Sequence, residues 1–268
     1  GFSGSVTLDG ANDFGGVVTV RSADVAVLND VNSVTLGDSI VVASFTVTAT
    51  DSIVFVGNVS ASSASWFAAD GSISGGGLLT ATAVDLDAST GIFGSTSDDS
   101  LAISATTISA DNSGAFDVNL SNDNALDVTL TSLTTFGGNL TFAQTGFGSV
   151  TFVGPVASGD QSSAVPVAGG DITLTSTGGL TVAALDQALS SESGTGGTLS
   201  LSGATIQRAI NVGAGNITIN GAGDDLLITA DIFANASIEL SSPGDVVVTS
   251  TITAAGASSD LTITADSD

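Results

Sequence analysis

Carboxylates are the one reactive side chain this sequence supplies in quantity. Its 268 residues hold 27 acidic residues against two basic ones, Arg21 and Arg208, for a formal net charge of −25. Asp85 with Asp87, Asp98 with Asp99, and Asp224 with Asp225 are the pairs available for carboxylate chemistry. Residues i and i+2 of a strand share a face, and two facing carboxyls are the machinery of glycoside hydrolysis, with their separation setting the stereochemical outcome. The plainer reading is that Asp sits in turns, where it accepts hydrogen bonds from nearby backbone N–H groups. A carbohydrate-cleaving site of this kind also wants a basic group beside the acids, and only Arg21 and Arg208 exist. No catalytic residue is assigned on this basis, and the chain reads as a non-enzyme. Lys, His, Cys, Met and Tyr are absent. A Ser-His-Asp triad, a thiolate nucleophile, a Schiff-base lysine and a His- or Cys-ligated zinc are therefore excluded within this chain.

Three further patterns carry chemistry on paper. The string NGAGDDLLI (220–228) approaches the G-G-x-G-x-D-x-U-x nonapeptide that binds Ca²⁺ between coils. Gly221, Gly223, Asp225 and Leu227 fit it, Asn220 replaces its first Gly, and the turn before it offers Asn216 where an Asp is needed. A Gly-Asp turn is the simpler account. No metal ligand or cofactor-binding residue is assigned, and calcium is the one cofactor the sequence brings into question. The Thr46/Thr48, Thr173/Thr175 and Thr262/Thr264 pairs have the T-x-T form of ice-binding solenoids, but neighbouring copies drift to Ser, Ala and Val. Trp66, the single Trp, is either a sugar-stacking platform or a core residue, and the core is the stronger expectation. The acidic balance excludes a nucleic-acid surface, which needs a basic footprint. No apolar run approaches the roughly 18 residues of a membrane-spanning helix.

The elements that must position these residues are short strands. Apolar–small–apolar triplets recur between polar turns, as in SVTL (33–36), IVF (53–55), LTF (140–142), ITI (217–219) and LTI (261–263). That is the period-2 signature of a strand with one buried face. Hydrophobic content of 42% permits a core, which sets the chain apart from disordered acidic sequences. A longer period overlies the short one. Val6, Val25, Phe45 and Trp66 are 19, 20 and 21 residues apart, Ile53, Ile73 and Ile92 are 20 and 19 apart, Leu180 and Leu199 are 19 apart, and Val246 lies 20 beyond Leu226. A fixed period of this size predicts a solenoid: an all-β parallel β-helix of roughly 13 coils of about 20 residues, in a rod about 60 Å long. The motif GG-x-[VIL]-[ST]-[VLF] recurs at 15–20, 137–142, 169–174 and 196–201. Its paired Gly is expected to supply φ > 0 at a corner, its central Ser or Thr to face outward, and its flanking apolar residues to face inward. Stacked Asn, Ser and Thr are expected to form hydrogen-bond ladders. A single domain over residues 1–268 is expected, with loop insertions near 90–100, 154–170 and 183–194. Within the last, Leu185 and Leu189 stand at helical spacing.

The stretch from Leu8 to Ser60 adds a resemblance. Ala11 to Gly16 give ANDFGG, Leu28 to Asn32 give LNDVN, and Val34 to Gly37 give VTLG. In this order the three strings resemble the repeats of very large bacterial exoproteins of the filamentous haemagglutinin type, closely over about a fifth of the chain and only in style beyond it. The resemblance implies a right-handed β-helix, an extracellular or cell-surface location and, commonly, an adhesive role. The chain begins with GFSGSVTL, without Met, in what reads as ordinary repeat, so a segment of a longer chain is expected. The resulting expectation is a structural or adhesive rod. Its partners would be further repeats or a second copy stacked end to end, and host or matrix glycans or proteins met by the three loops, with no nucleic acid and no membrane insertion. Calcium-stabilised surface-layer or matrix protein, and carbohydrate-binding or carbohydrate-cleaving β-helix, are the alternatives.

Overall fold

The computed structural model describes residues 4–159, 169–182, 189–191, 199–206, 210–212, 216–221 and 225–265, with side chains outside 178–179 and 181–215. Among the described residues no helix forms, and so none is long and apolar enough to cross a membrane. The thirty strands of the described residues join one sheet in which neighbouring strands come from successive coils and run parallel. The result is a β-solenoid of about 11 turns. Local composition explains the architecture. Strand interiors carry Val, Ile, Leu, Phe and Thr, which suit a pleated half-buried surface, and turns carry Gly, Asp, Asn and Ser. Burial alternates residue by residue, as in Ser63–Ala68 and Val118–Asn122, so each strand sends every second side chain into the shared core.

The early coils have three rows of strands. A long row contains Ala23–Asp30, Ser63–Ala68, Ala83–Ala88 and Thr107–Asn112. A second contains Val34–Leu36, Ile53–Phe55, Ile73–Gly75 and Ile92–Phe93. A third contains Val59–Ser60, Leu78–Thr80 and Leu101–Ser104. The cross-section then changes. Val118–Asn122 pairs with both Ile92 and Leu101–Ile103, so the second and third rows merge. At the same level the long row begins to split. Ile108 pairs with Leu130 and Ser109 with Ser132, leaving Thr131 extra. A bulge of this kind bends its strand, and the Thr131 hydroxyl anchors it by donating to the Ile108 carbonyl at 3.1 Å. One coil later the gap holds residues 153–155, and Val150–Phe152 and Val156–Ser158 are separate strands. Thus one corner closes as another opens, and the rod keeps three sides at the upper coils.

This change explains the departures from the expected period. Trp66 is 19 residues beyond its partner Val47, but Ala110 is 24 beyond Leu86, and Ile172 is 32 beyond Leu140. Longer coils give fewer turns than the 13 expected. The column Ile53, Ile73 and Ile92 is as predicted, as is Leu226 with Val246. The other columns are corrected. Val6 pairs with Ala26 rather than Val25, Trp66 with Val47 rather than Phe45, and Leu180 with Ala204 while Leu199 pairs with Ile172. When coil length varies by one residue, spacing alone cannot tell an inward position from its outward neighbour.

The Gly-Gly motif is also corrected in mechanism. Gly137 has a φ of 107°, as a corner demands. Gly138 is needed for a different reason: a Cβ there would lie 2.1 Å from the Phe116 carbonyl oxygen of the preceding coil. The strand part of the motif follows expectation where side chains are described: Leu140 and Phe142, like Ile172 and Leu174, are buried, and Thr141 and Thr173 are not. The expected helical spacing ends in a strand instead, since Leu189–Ser191 pairs with Val156–Ser158. Residues 183–188 and most of the expected loops at 154–170 and 183–194 lie outside the described residues.

Candidate functional site

The core rules on Trp66 first. It is 1% exposed and sits edge-on to Phe45 and Phe55, with ring centroids 6.1 and 5.4 Å away. Ala64 and Ala68 on its own strand leave it room. It is a core residue, with no face open to a sugar. Its indole N–H has no hydrogen-bond partner among the described residues.

The Asp85/Asp87 pair does share an outward face, and the register adds a third carboxylate. Asp87 pairs with Asp111 of the next coil. With Phe67, Asn112 and Thr134, Asp87 and Asp111 line a surface hollow of about 430 Å³. Burial, helped by the charges of Asp85 and Asp111, pushes the Asp87 carboxyl above its usual 3.8. Asp111 is held by hydroxyls: Ser132 donates to it at 2.5 Å, Ser109 at 3.3 Å, and Thr134 closes on the same oxygen as Ser132. Ser65 donates to Asp85 at 3.4 Å. Asp87 thus holds a proton more tightly than an isolated Asp. Among the described residues, however, no basic group stands with it, and no group of acids is arranged to hold a metal ion.

The remaining candidates have structural employment. The Asp99 carboxylate closes its own loop by accepting from the Thr96 N–H at 3.2 Å and hydroxyl at 3.0 Å. Asp225 accepts the Asp245 N–H at 2.9 Å. Asn216 accepts the Ser237 N–H at 3.1 Å. Gly223 and Asp224 of the calcium-like string, and Arg208, lie outside the described residues. Thr46 and Thr48 stand beside Ser65 and Phe67, and Thr262 and Thr264 beside Glu239 and Ser241, so T-x-T does not repeat on those faces. Arg21 forms no ion pair among the described residues. It lines an open groove of about 690 Å³ with Asp38, Ile40, Asn58 and Leu78.

The expected hydrogen-bond ladders run along the rod, but Asp joins Asn and Ser as acceptor and the donors are backbone N–H groups. The residue just before a strand accepts, through its side chain, the backbone N–H of its counterpart one coil later. In the second row, Ser33 accepts from Ser52 at 3.2 Å and Ser52 from Ser72 at 3.1 Å. Asp117 accepts from Asn139 at 2.7 Å, and Asn139 from Asp171 at 2.9 Å. Asn216 accepts from Ser237 and Ser237 from Asp260, both at 3.1 Å. Other rows repeat the device: Asp38 to Asn58 at 2.8 Å, Asn58 to Leu78 at 3.0 Å, Asp127 to Ser149 at 3.1 Å and Asp231 to Thr251 at 2.9 Å. The bonds from Ser149 hold the Asp127 carboxyl below its usual 3.8. Each such bond satisfies a turn N–H that would otherwise face the neighbouring coil unpaired. The signal in the sequence is an Asp, Asn or Ser directly before Val, Ile or Leu at the start of a strand, with Asp38, which precedes Ser39, the exception among those named.

No protein-family model, curated protein or solved structure matches this chain. Its surfaces therefore have to be interpreted from their own geometry. The groove beside Arg21 stands out. Leu261 and Ile263 in the last strand are 47% and 49% exposed, while Ile238 and Leu240, directly beneath them in register, are fully buried.

Proposed function

We propose that this chain is a structural rod segment of a large secreted or cell-surface bacterial protein, with an adhesive role, and that it self-associates end to end. The coil-on-coil stacking carries the reading: each coil presents a backbone edge and inward apolar side chains that the next coil covers, as Leu261 and Ile263 cover Ile238 and Leu240. The extracellular, adhesive part rests on the resemblance of residues 8–60 to filamentous haemagglutinin-type repeats. The charge of −25 fits a saline exterior, where counterions screen repulsion between neighbouring coils. Electron microscopy of the purified chain, with and without a chelator, tests the proposal. The reading predicts rods joined end to end that survive chelation. Filaments that dissolve in chelator would favour the calcium-stabilised alternative. Monodisperse single rods at every concentration would overturn self-association.

A carbohydrate-binding reading has one observation in its favour. The groove of about 690 Å³ sets Asp38, Asn58 and Thr80 beside the exposed aliphatic surfaces of Ile40 and Leu78, a mixture that suits a saccharide's hydroxyls and C–H faces. A glycan array on which wild type binds and Asn58→Ala does not would support it.

A further inference from the structure

The groove beside Arg21 lies on a side face of the rod, and its walls come from successive coils: first Arg21, then Asp38 and Ile40, then Asn58 and Ser60, then Leu78 and Thr80. All of these side chains are exposed, while Ser39, Val59 and Leu79 between them turn inward. The register stacks the outward residues in two columns. Ser60 pairs with both Ile40 and Thr80, and the bond from the Ile40 N–H to the Val20 carbonyl at 2.7 Å sets Arg21 beside Ile40. Asp38, Asn58 and Leu78 form the second column. Asp38 accepts the Asn58 N–H at 2.8 Å, and Asn58 the Leu78 N–H at 3.0 Å.

The columns offer polar and apolar contacts at a fixed interval. Asp38 and Asn58 each spend one side-chain oxygen on the ladder. That leaves Asp38 a second carboxylate oxygen to accept with, and Asn58 its amide N–H₂ to donate. Ser60 and Thr80 add hydroxyls. Ile40 and Leu78, 58% and 38% exposed, add aliphatic surface between them. Neighbouring coils repeat at about 4.8 Å, close to the length of one pyranose residue in an extended polysaccharide. A linear saccharide lying along the rod axis therefore meets a new rung of the groove with each of its residues.

Arg21 sets the charge of that saccharide. In a chain with 27 acidic residues it forms no ion pair among the described residues, although Asp38 lines the same groove. Its guanidinium is always charged, and its planar fork of donors matches a carboxylate in a bidentate pair. A neutral sugar would offer that fork hydroxyls alone. The net charge of −25 repels anions at a distance, but salt at physiological strength screens that repulsion beyond about 8 Å, and a contact pair acts inside this range.

We propose that this groove binds a linear, uronate-bearing polysaccharide along the rod axis, with Arg21 holding a sugar carboxylate and the coils at 38–40, 58–60 and 78–80 receiving the residues beyond it. This rests on the carbohydrate-binding reading above. It adds the ligand's charge, its direction and the residue that selects it.

The test is an array of galacturonate, glucuronate and mannuronate oligosaccharides of one to six residues, each beside its carboxyl-reduced, neutral counterpart. The proposal predicts that a uronate series binds, that its neutral counterpart binds about tenfold or more weakly, and that affinity climbs with length to about four residues, one for each coil of the groove. Arg21→Gln is expected to bring the acidic and neutral series level, with an unfolding curve that matches wild type because Arg21 is exposed. Equal binding of both series by wild type would overturn the carboxylate assignment and leave the carbohydrate reading standing. A preference that survives Arg21→Gln would overturn the role of Arg21. Affinity that does not grow beyond a single sugar would overturn the axial direction. No binding to any member of the array would overturn both the proposal and the reading beneath it.

Discussion

The turns after Ala49, Ala68 and Ala88 and those after Asn112, Thr135 and Ser158 take the same corner by different chemistry, and Asp30, buried one coil before Ala49, already uses a polar side chain there. At the end of the long row, one inward column reads Ala49, Ala68, Ala88, then Asn112, Thr135, Ser158. Beside the alanines the turns to the next row are short, and they bond to each other through the backbone, as where the Ala69 N–H donates to the Ala49 carbonyl at 3.0 Å. Beside Asn112 the turn is longer, and its carbonyls point inward. The buried Asn112 amide donates to Gly114 and Phe116 at 2.7 and 2.8 Å and accepts the Gly91 N–H at 2.9 Å. A second polar column does the same at another corner. Asn122 accepts the Ala105 N–H at 2.8 Å, donates to the Ala105 carbonyl at 3.0 Å and donates to Gln144 at 2.7 Å. The lesson is that a solenoid corner has two stable solutions. A small apolar residue closes a tight turn, and a buried amide substitutes for the missing backbone partners of a wide one.

The sharpest break to the first solution is Trp66→Ala. It empties the space between Phe45 and Phe55, and a loss of about 3–5 kcal/mol is expected, measured by denaturant unfolding. The matching break to the second is Asn122→Ala, which strands a buried N–H, a carbonyl and the Gln144 amide oxygen. About 2–4 kcal/mol is expected, and the same substitution at exposed Asn235 should cost less than about 0.5 kcal/mol. If the two solutions are truly different, Ala68→Asn should destabilise by about 2 kcal/mol, because the short turn there leaves the new amide without partners. Asp117→Ala removes one rung of the side-chain ladder and should cost about 1 kcal/mol, with faster amide exchange at Asn139.

The smallest effect concerns the acidic face. Since the folded state raises the Asp87 carboxyl above 3.8, its ionisation opposes folding at neutral pH. That opposition fades as pH falls through the raised value and is gone below the unfolded value. Asp87→Asn should therefore stabilise at pH 7, by less than about 1 kcal/mol because solvent screens the half-exposed cluster, and the advantage should vanish as pH approaches the ordinary carboxylate range. Asp127 has the opposite sign. Its lowered carboxyl stabilises the fold above the ordinary value, and that contribution is lost as pH falls through the lowered one.

The fold class was legible because burial in a solenoid repeats along both the strand and the coil, and Ile53, Ile73 and Ile92 keep both periods. Register was legible only where coils hold their length. The extra residue Thr131 and the widening at 153–155 are outward or turn positions with no hydrophobic signature, so periodicity passes over them. The Asp85/Asp87 pair could be placed on one face from sequence, but Asp111 is 24 residues beyond Asp87 and no fixed period would bring it there. Ladders of stacked Asn and Ser were legible, but the part taken by Asp and the backbone N–H as donor were not, because Asp before a strand looks like an ordinary turn former until the coil above is in place.

The register that stacks Asp87 on Asp111 across a lengthened coil underlies the acidic cluster and the corner columns. Cysteine pairs in this Cys-free chain measure it directly. Residues in register on neighbouring parallel strands lie about 4.8 Å apart, within disulfide reach, whereas diagonal neighbours lie about 7 Å or more apart. Asp87→Cys/Asp111→Cys is predicted to close a disulfide in the folded chain under mild oxidation, and Asp85→Cys/Asp111→Cys to remain reduced. The reverse outcome would shift the coil by two residues and contradict the register on which the cluster, the corner columns and the ladder are built.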